Sequence, residues 1–424
     1  MTVEHQMVER PFHLITKPIG AICNLNCTYC FYLSKEHLYP NTEDFRMSDE
    51  VLEAYVKGYM QQPADEITFT WQGGEPTLMG IDYYRKALEY QQKHKPEGKT
   101  IHNSIQTNGV KIDREWAEFL SKHEFLVGVS LDGPDHLHNT YRRTKGDRDT
   151  HQRVMQGIKH LKKAGVDYNI LCCVNRVNAR HPLEVYEFLH EQSGTPYWQF
   201  IPIVENNPHE SEGVSPYSVT AEQYGNFLTQ MFDRWVRRDL GRVSIQMFDV
   251  TLRRYLGMRA GLCLFEETCG DALAIEHNGD VYSCDHYVDP DHHLGNVMEQ
   301  PLQEMVNAPF QREFGRYKRD GLPDYCKQCE VYELCRGGCP KNRFIKTPGG
   351  EEGFNYLCEG FKHYFTYTAP YFRFIADQYR RHTPLPAMME YIRSNPDQFI
   401  DEWPARNDPC YCGSGMKFKK CCLS

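Results

Sequence analysis

The run CNLNCTYC sets Cys23, Cys27 and Cys30 at C-x3-C-x2-C spacing, directly after the β-prone stretch 12–17. A structural zinc site takes four ligands and leaves no position open. Three thiolates instead leave a four-iron cube one ligand short, so that one iron can take a small molecule. The run therefore marks a metal centre with an open coordination position at the end of the first strand.

Strand and helix signals alternate from there on. Strand candidates lie at 12–17, 66–71, 101–106, 125–131, 168–174 and 197–204, and helical stretches near 49–62, 81–94, 113–122, 150–164, 181–193 and 220–239. The fourth helix carries Val154, Ile158 and Leu161 at i, i+4 and i+7, an apolar stripe of helical period. Short apolar strands alternating with amphipathic helices predict an α/β chain with a parallel sheet. Six such units fall short of the eight of a full TIM barrel. The expected fold over 1–240 is thus a partial (β/α)6 TIM-like barrel, open on one side.

The unusual residues fall in the loops after strands. Gln72-Gly73-Gly74-Glu75-Pro76 follows the second strand and Thr107-Asn108-Gly109 the third, while the fourth ends in Ser130 and runs into Asp132-Gly133-Pro134. Each is ordinary turn chemistry alone. In parallel barrels, however, the reactive face lies at the C-terminal strand ends, and these loops share it.

Composition narrows the class. With 424 residues, 40% apolar content, 27 Tyr and 22 Phe, the chain can fill a large domain with smaller ones attached. A net charge of −9 argues against a broad nucleic-acid footprint. The sequence has no apolar run of membrane-spanning length, and MTVEHQMVERP lacks a signal-peptide core, so a soluble cytoplasmic protein is expected. Seventeen cysteines do not fit a disulfide scaffold, which belongs to short chains without cores. An odd count with C-x2-C and CC pairs fits metal ligation. Cys172 and Cys173, mid-strand, read as core.

The three-cysteine run resembles the signature of the radical S-adenosylmethionine (SAM) enzymes, in which the open iron chelates the amino and carboxylate groups of SAM. The resemblance implies that Tyr29, before the third cysteine, lies close to SAM. It implies that the QGGEP motif, with Gln72 and Gly74, meets the SAM amino group through backbone around Gly74, where a missing Cβ permits close approach. Ser130 and Arg142 match positions that hold the SAM carboxylate and ribose, and Ile203 one that contacts the adenine. A guanidinium suits a carboxylate because its donors form a fixed, charged fork. Read by itself, Arg142 is a solvated charge, with a second arginine, Arg143, beside it.

Cys263, Cys269, Cys284, Cys326, Cys329, Cys335, Cys339 and Cys358 make two four-cysteine sets, and their spacing alone leaves zinc and iron–sulfur open. Their order resembles the SPASM domain of radical SAM peptide-modifying enzymes, expected over 241–381. That resemblance implies two auxiliary 4Fe–4S clusters, one on Cys263, Cys269, Cys284 and Cys339, the other on Cys326, Cys329, Cys335 and Cys358. Three 4Fe–4S clusters and SAM are then the cofactors.

Asp285 follows Cys284 in YSCDHY. Its bland role is to cap a turn. The position is similar to that of the proposed general base of the anaerobic sulfatase-maturating enzymes, which oxidise a Cys or Ser of a sulfatase to Cα-formylglycine. The implied partners are an unfolded or nascent sulfatase polypeptide with a C/S-x-P-x-R motif and a reductant such as flavodoxin or ferredoxin. The implied chemistry removes a hydrogen from the target Cβ by a 5′-deoxyadenosyl radical while Asp285 takes the thiol or hydroxyl proton.

Residues 382–409, rich in Pro and polar residues, read as a linker with a helical turn or two. The module at 410–424, CYCGSGMKFKKCCLS with Cys410, Cys412, Cys421 and Cys422, resembles the SEC-C motif and implies a structural zinc that supplies its folding energy. Two other functions fit parts of the chain. A maturase of a ribosomally made peptide, forming thioether or carbon–carbon crosslinks, shares the radical chemistry. Only 22 residues precede Cys23, though, which leaves no room for a leader-binding domain, and Asp285 favours the oxidase. A non-enzymatic zinc-binding adaptor would carry zinc throughout and no iron–sulfur absorbance.

Overall fold

A computed structural model of the protein describes residues 10–42 and 44–399 together with positions 417 and 420. In chain order the main elements are β1 (His13–Lys17), α1 (Asp49–Tyr59), β2 (Glu66–Trp71), α2 (Ile81–His94), β3 (Thr100–Thr107), α3 (Arg114–Lys122) and β4 (Leu126–Ser130). They continue as α4 (Asp135–His138), α5 (His151–Ala164), β5 (Tyr168–Val174), α6 (Pro182–Gln192), β6 (Tyr197–Pro202), α7 (Ala221–Arg238), β7 (Ser244–Ile245) and α8 (Gln246–Tyr255). A small group of strands follows, β8 (Ala272–Glu276), β9 (Asp280–Tyr282) and β10 (His293–Asn296). All six expected strands are present, each within about two residues of its expected ends.

The chain forms two compact units, one of Met1–Ser130, Tyr141–Asn169 and Thr268–Lys318, the other of Leu131–Thr140, Ile170–Glu267 and Arg319–Ser424. In the first, the strand order is β10-β9-β8-β1-β2-β3-β4. The ladders β1–β2, β2–β3 and β3–β4 are parallel. Parallel neighbours need crossovers, which α1, α2 and α3 supply. The starts of α1 and α3 are written in the sequence: Ser48 accepts the Val51 N–H and Asp113 the Trp116 N–H, each at the N-cap. Tyr55, Tyr59, Phe69, Trp71 and Tyr84 fill the interior beneath α1 and α2. The stripe on α5 packs as its period requires, with Val154, Ile158 and Leu161 all buried.

Two features of this unit are not visible in strand propensity. Strand β8, from beyond the expected barrel, pairs in parallel with β1, with His13 opposite Ala272 and Lys17 opposite Glu276. The β8–β9 ladder is antiparallel, so the chain turns back and carries Cys284 and Asp285 to the side of β1.

In the second unit β5, β6 and β7 run parallel. Helix α7 starts with a capping box of Thr220 and Gln223. It packs on the helix Cys358–Arg380. The approach is close at Gly360, where a Cβ would lie 2.1 Å from the Ala221 carbonyl oxygen. The expected linker begins as a docked helix, Leu385–Ser394, rather than a turn or two. Met388, Met389 and Ile392 are buried, and Leu385 sits on Gly241, where no Cβ intervenes. Polar composition hid an apolar stripe that needed a partner. Cys410, Cys412, Cys421 and Cys422 lie outside the described residues. No helix among the described residues is long and apolar enough to cross a membrane.

Candidate active site

The cysteine loop is fastened on two sides within the first unit. Asn26 N–H donates to the Arg143 carbonyl at 2.8 Å and Thr28 N–H to that of Tyr141 at 3.0 Å. From the β2 side, Gly74 N–H donates to Gly20 O at 2.7 Å and Glu75 N–H to Ile22 O at 2.9 Å. A Cβ on Gly74 would stand 2.0 Å from Ile22 O, so this loop-to-loop approach itself requires the glycine. Within the loop, Cys30 N–H turns back to Cys27 O at 3.0 Å. Cys23 Sγ receives the Leu25 N–H at 3.4 Å and Asn108 Nδ2 at 3.7 Å. Burial first, then the Glu75 carboxylate, pushes the free Cys23 thiol up to about 11. These are the donors a metal-bound sulfur accepts, and three thiols on one fastened turn fit a cluster with an open iron.

Strapping by the 141–144 segment brings Arg142 and Tyr29 together. The Arg142 guanidinium carbon lies 5.4 Å from the Tyr29 ring centroid, and Tyr141 meets the same ring edge-on at 5.9 Å. Arg142 is only 7% exposed. Arg143, by contrast, points outward to ion pairs with Asp147 and Asp149. Burial thus distinguishes Arg142 from its neighbour. Ser130 is buried at the end of β4. Ile203 lies in the second unit, where its N–H donates to Val174 O at 2.9 Å. Asp132, also in that unit, is structural: it accepts the Cys173 N–H at 2.9 Å.

A charged cluster stands at the end of β1. Lys17, 1% exposed, pairs through Nζ with Asp285 and donates to Gln72 Oε1. Its Nζ also lies 4.0 Å over the Tyr32 ring. Gln72 Nε2 donates to Gln106. The Gln72 side chain is thus held by Lys17, the residue that also pairs with Asp285. Tyr32 donates to Glu276, whose other oxygen lies 3.0 Å from His277 Nδ1. Burial, then the Glu276 and Asp285 carboxylates, raises the Tyr32 phenol well above its usual range. His286, next to Asp285, packs on Phe31 with centroids 5.4 Å apart, which joins this cluster to the cysteine loop.

In the second unit Cys326, Cys329, Cys335 and Cys358 line one cavity with Tyr325, Tyr332, Asn355 and Lys362. Burial, then the three other thiols, raises the free Cys358 thiol far above its usual range. Among the described residues no group of three or more His, Cys, Asp or Glu side chains converges tightly enough for a single metal ion. Thiols spread around a shared cavity suit a multi-iron cluster better than one tetrahedral zinc. Cys263 and Cys339 lie in the second unit, Cys269 and Cys284 in the first.

Glu75 and Asn108 stand in two of the loops singled out after β2 and β3, but their contacts with each other and with Cys23 are visible only in the structure, and Lys17 was not singled out at all.

Comparison with known proteins shows the family. Residues 18–189 match the radical SAM superfamily, 263–330 the SPASM iron-sulfur cluster-binding domain and 406–424 the SEC-C motif. Fold and site define a radical SAM enzyme with a SPASM domain, a user of 4Fe–4S clusters and SAM. A serine-type anaerobic sulfatase-maturating enzyme of Bacteroides thetaiotaomicron is 44% identical over 86% of this chain and 91% of its own. A cysteine-type enzyme of Clostridium perfringens is 38% identical over 85% of this chain and 97% of its own. A solved structure of native anSMEcpe with bound AdoMet and Kp18Cys peptide has a TM-score of 0.80 at 37% identity, covering 87% of this chain and 99% of that one. The chain belongs to the anaerobic sulfatase-maturating enzymes.

Proposed function

We propose that this protein oxidises a Cys or Ser of an unfolded or nascent sulfatase polypeptide, in a C/S-x-P-x-R context, to Cα-formylglycine. Cys23, Cys27 and Cys30 hold the cluster that binds SAM, with Tyr29, Gln72, Gly74, Ser130, Arg142 and Ile203 around the cofactor. When bound, cluster and SAM supply a carbon radical that abstracts hydrogen. The observation that carries the reading is the joining of the cysteine loop to Asp285 through Tyr32, Lys17 and the Phe31–His286 contact. A base must stand within hydrogen-bond reach of the proton it removes.

Asp285 accepts the thiol or hydroxyl proton of the target side chain, and Lys17 and Gln72 orient it. Cys326, Cys329, Cys335 and Cys358 hold one auxiliary 4Fe–4S cluster, and Cys263, Cys269, Cys284 and Cys339 the other. Full thiolate ligation suits them to carrying the departing electron. Cys410, Cys412, Cys421 and Cys422 hold a structural zinc. A flavodoxin or ferredoxin in the cytoplasm supplies the reducing electron.

The test is anaerobic incubation with SAM, dithionite and a peptide containing C-x-P-x-R or S-x-P-x-R. The Ser peptide should lose two hydrogens, and the Cys peptide should exchange its thiol for an aldehyde oxygen. A crosslinked peptide of unchanged residue content, or no product from either peptide, would refute the reading.

A further inference from the structure

The loop Thr107-Asn108-Gly109 has no part in the chemistry above, yet its asparagine is aimed at a cluster thiol. Asn108 Nδ2 stands 3.7 Å from Cys23 Sγ and 2.7 Å from Asn24 Oδ1, in a side chain only 8% exposed. The amide cannot be reversed without loss. Its Oδ1 accepts the Val110 N–H at 3.0 Å, and a flip would break that bond and turn an acceptor toward Asn24 Oδ1.

The backbone that carries it is clamped as well. Glu75 takes the Asn108 N–H at 2.8 Å and the Thr107 hydroxyl at 2.7 Å. The same carboxylate takes the Thr77 N–H at 3.0 Å and hydroxyl at 2.6 Å. At 1% exposure Glu75 is shielded from water that would loosen these bonds. A buried carboxylate with all its donors in place fixes a donor loop over the sulfur.

We propose that Asn108 sets the reduction potential of the SAM-binding cluster by donating a hydrogen bond to the Cys23 thiolate, with Glu75 as the clamp that positions it. This rests on the reading of Cys23 as a cluster ligand. Reduction by one electron adds negative charge to the cluster and its sulfurs, so an N–H donor stabilises the reduced form more than the oxidised one. Hydrogen bonds to cluster sulfurs are among the factors that set such potentials. No bond is made or broken beyond the one-electron reduction that the reductant already supplies.

The measurement is a redox titration of the anaerobically purified holoenzyme, following the part of the EPR signal that responds to added SAM. Asn108→Leu removes the donor at similar size. Asn108→Asp keeps the acceptor for Val110 and replaces the donor with a carboxylate oxygen. At fixed solution potential the reduced-to-oxidised ratio should fall roughly tenfold in Asn108→Leu, about 59 mV for a one-electron couple. It should fall further in Asn108→Asp, with the auxiliary signals unmoved. Parental midpoints in both variants, or an equal shift of all clusters, would overturn the proposal. So would loss of the SAM-responsive cluster from both variants, because Asn108 would then serve assembly. Absence of a SAM-responsive cluster in the parent protein would instead remove the assignment of Cys23 itself.

Discussion

Lys17 and Asp285 meet in an ion pair at the end of β1, although the chain places one before the cysteine loop and the other after Cys284. The parallel β1–β8 ladder makes the meeting possible, because it aligns Lys17 with the strand whose hairpin delivers Asp285. Lys17 is almost wholly buried and Asp285 largely so. Burying both charges is costly unless they compensate one another.

Replacing Lys17 by Met should therefore leave a buried carboxylate uncompensated. Unfolding free energy should fall by about 3 kcal/mol, the scale for breaking a buried pair from one side. Formylglycine formation should fall more than cleavage of SAM, since the lysine orients the base and not the cysteine loop. Denaturant titration and product-to-deoxyadenosine ratios check the two parts.

Asp285→Asn keeps shape and removes the base. Peptide oxidation should drop by about 10²–10⁴, the usual worth of a positioned general base. SAM cleavage should remain measurable by 5′-deoxyadenosine release. Turnover equal to that of the parent would take the proton-accepting role away from Asp285.

Gly74→Ala asks for a Cβ where the Ile22 carbonyl already stands, 2.0 Å away. The β2 loop must back off from the cysteine loop, costing about 1–3 kcal/mol by the overpacking scale. Thermal unfolding should report the loss. SAM affinity should weaken with it, because the same contact holds the loop.

Arg142 and Arg143 should behave differently despite their adjacency. Arg142→Lys keeps the charge but loses the planar fork over Tyr29, and SAM affinity should fall roughly tenfold. Arg143→Ala removes surface ion pairs worth about 0–1 kcal/mol and should leave SAM binding near the parental value. Equilibrium binding of SAM to the reconstituted proteins separates them.

Truncation after Phe399 removes the SEC-C motif while keeping the helix Leu385–Ser394 and the ring of Phe399 stacked on Tyr371 at 4.7 Å. Peptide oxidation should persist at the parental rate. Metal analysis should find one zinc fewer per chain, with iron unchanged.

The site was legible wherever chemistry forces a local pattern. C-x3-C-x2-C is short because one turn must present three sulfurs, and QGGEP contains Gly74 because two backbones touch. Strand ends were legible for the same reason, since apolar runs and turn residues act within a few positions. Lys17 was not: at the end of an apolar strand a lysine looks like any solvated charge until its carboxylate partner is known. Asn108 looked like a turn residue, and it is one, through Val110; its bond to Cys23 exists only once β1 and β3 lie in one sheet. The helix Leu385–Ser394 is longer than the turn or two expected, because its stripe of Leu385, Met388, Met389 and Ile392 is short, with a surface to bury against only after folding.

Sequence by itself determined the cysteine spacing, the order of strands and helices, and the family, because these depend on residue type and spacing along the chain. Tertiary structure decided which of two arginines is buried, where Gln72 spends its amide and what stands opposite Asp285. Those depend on electrostatic and packing partners brought from distant segments. The cost of an uncompensated buried charge is set by those partners, and no local pattern specifies them.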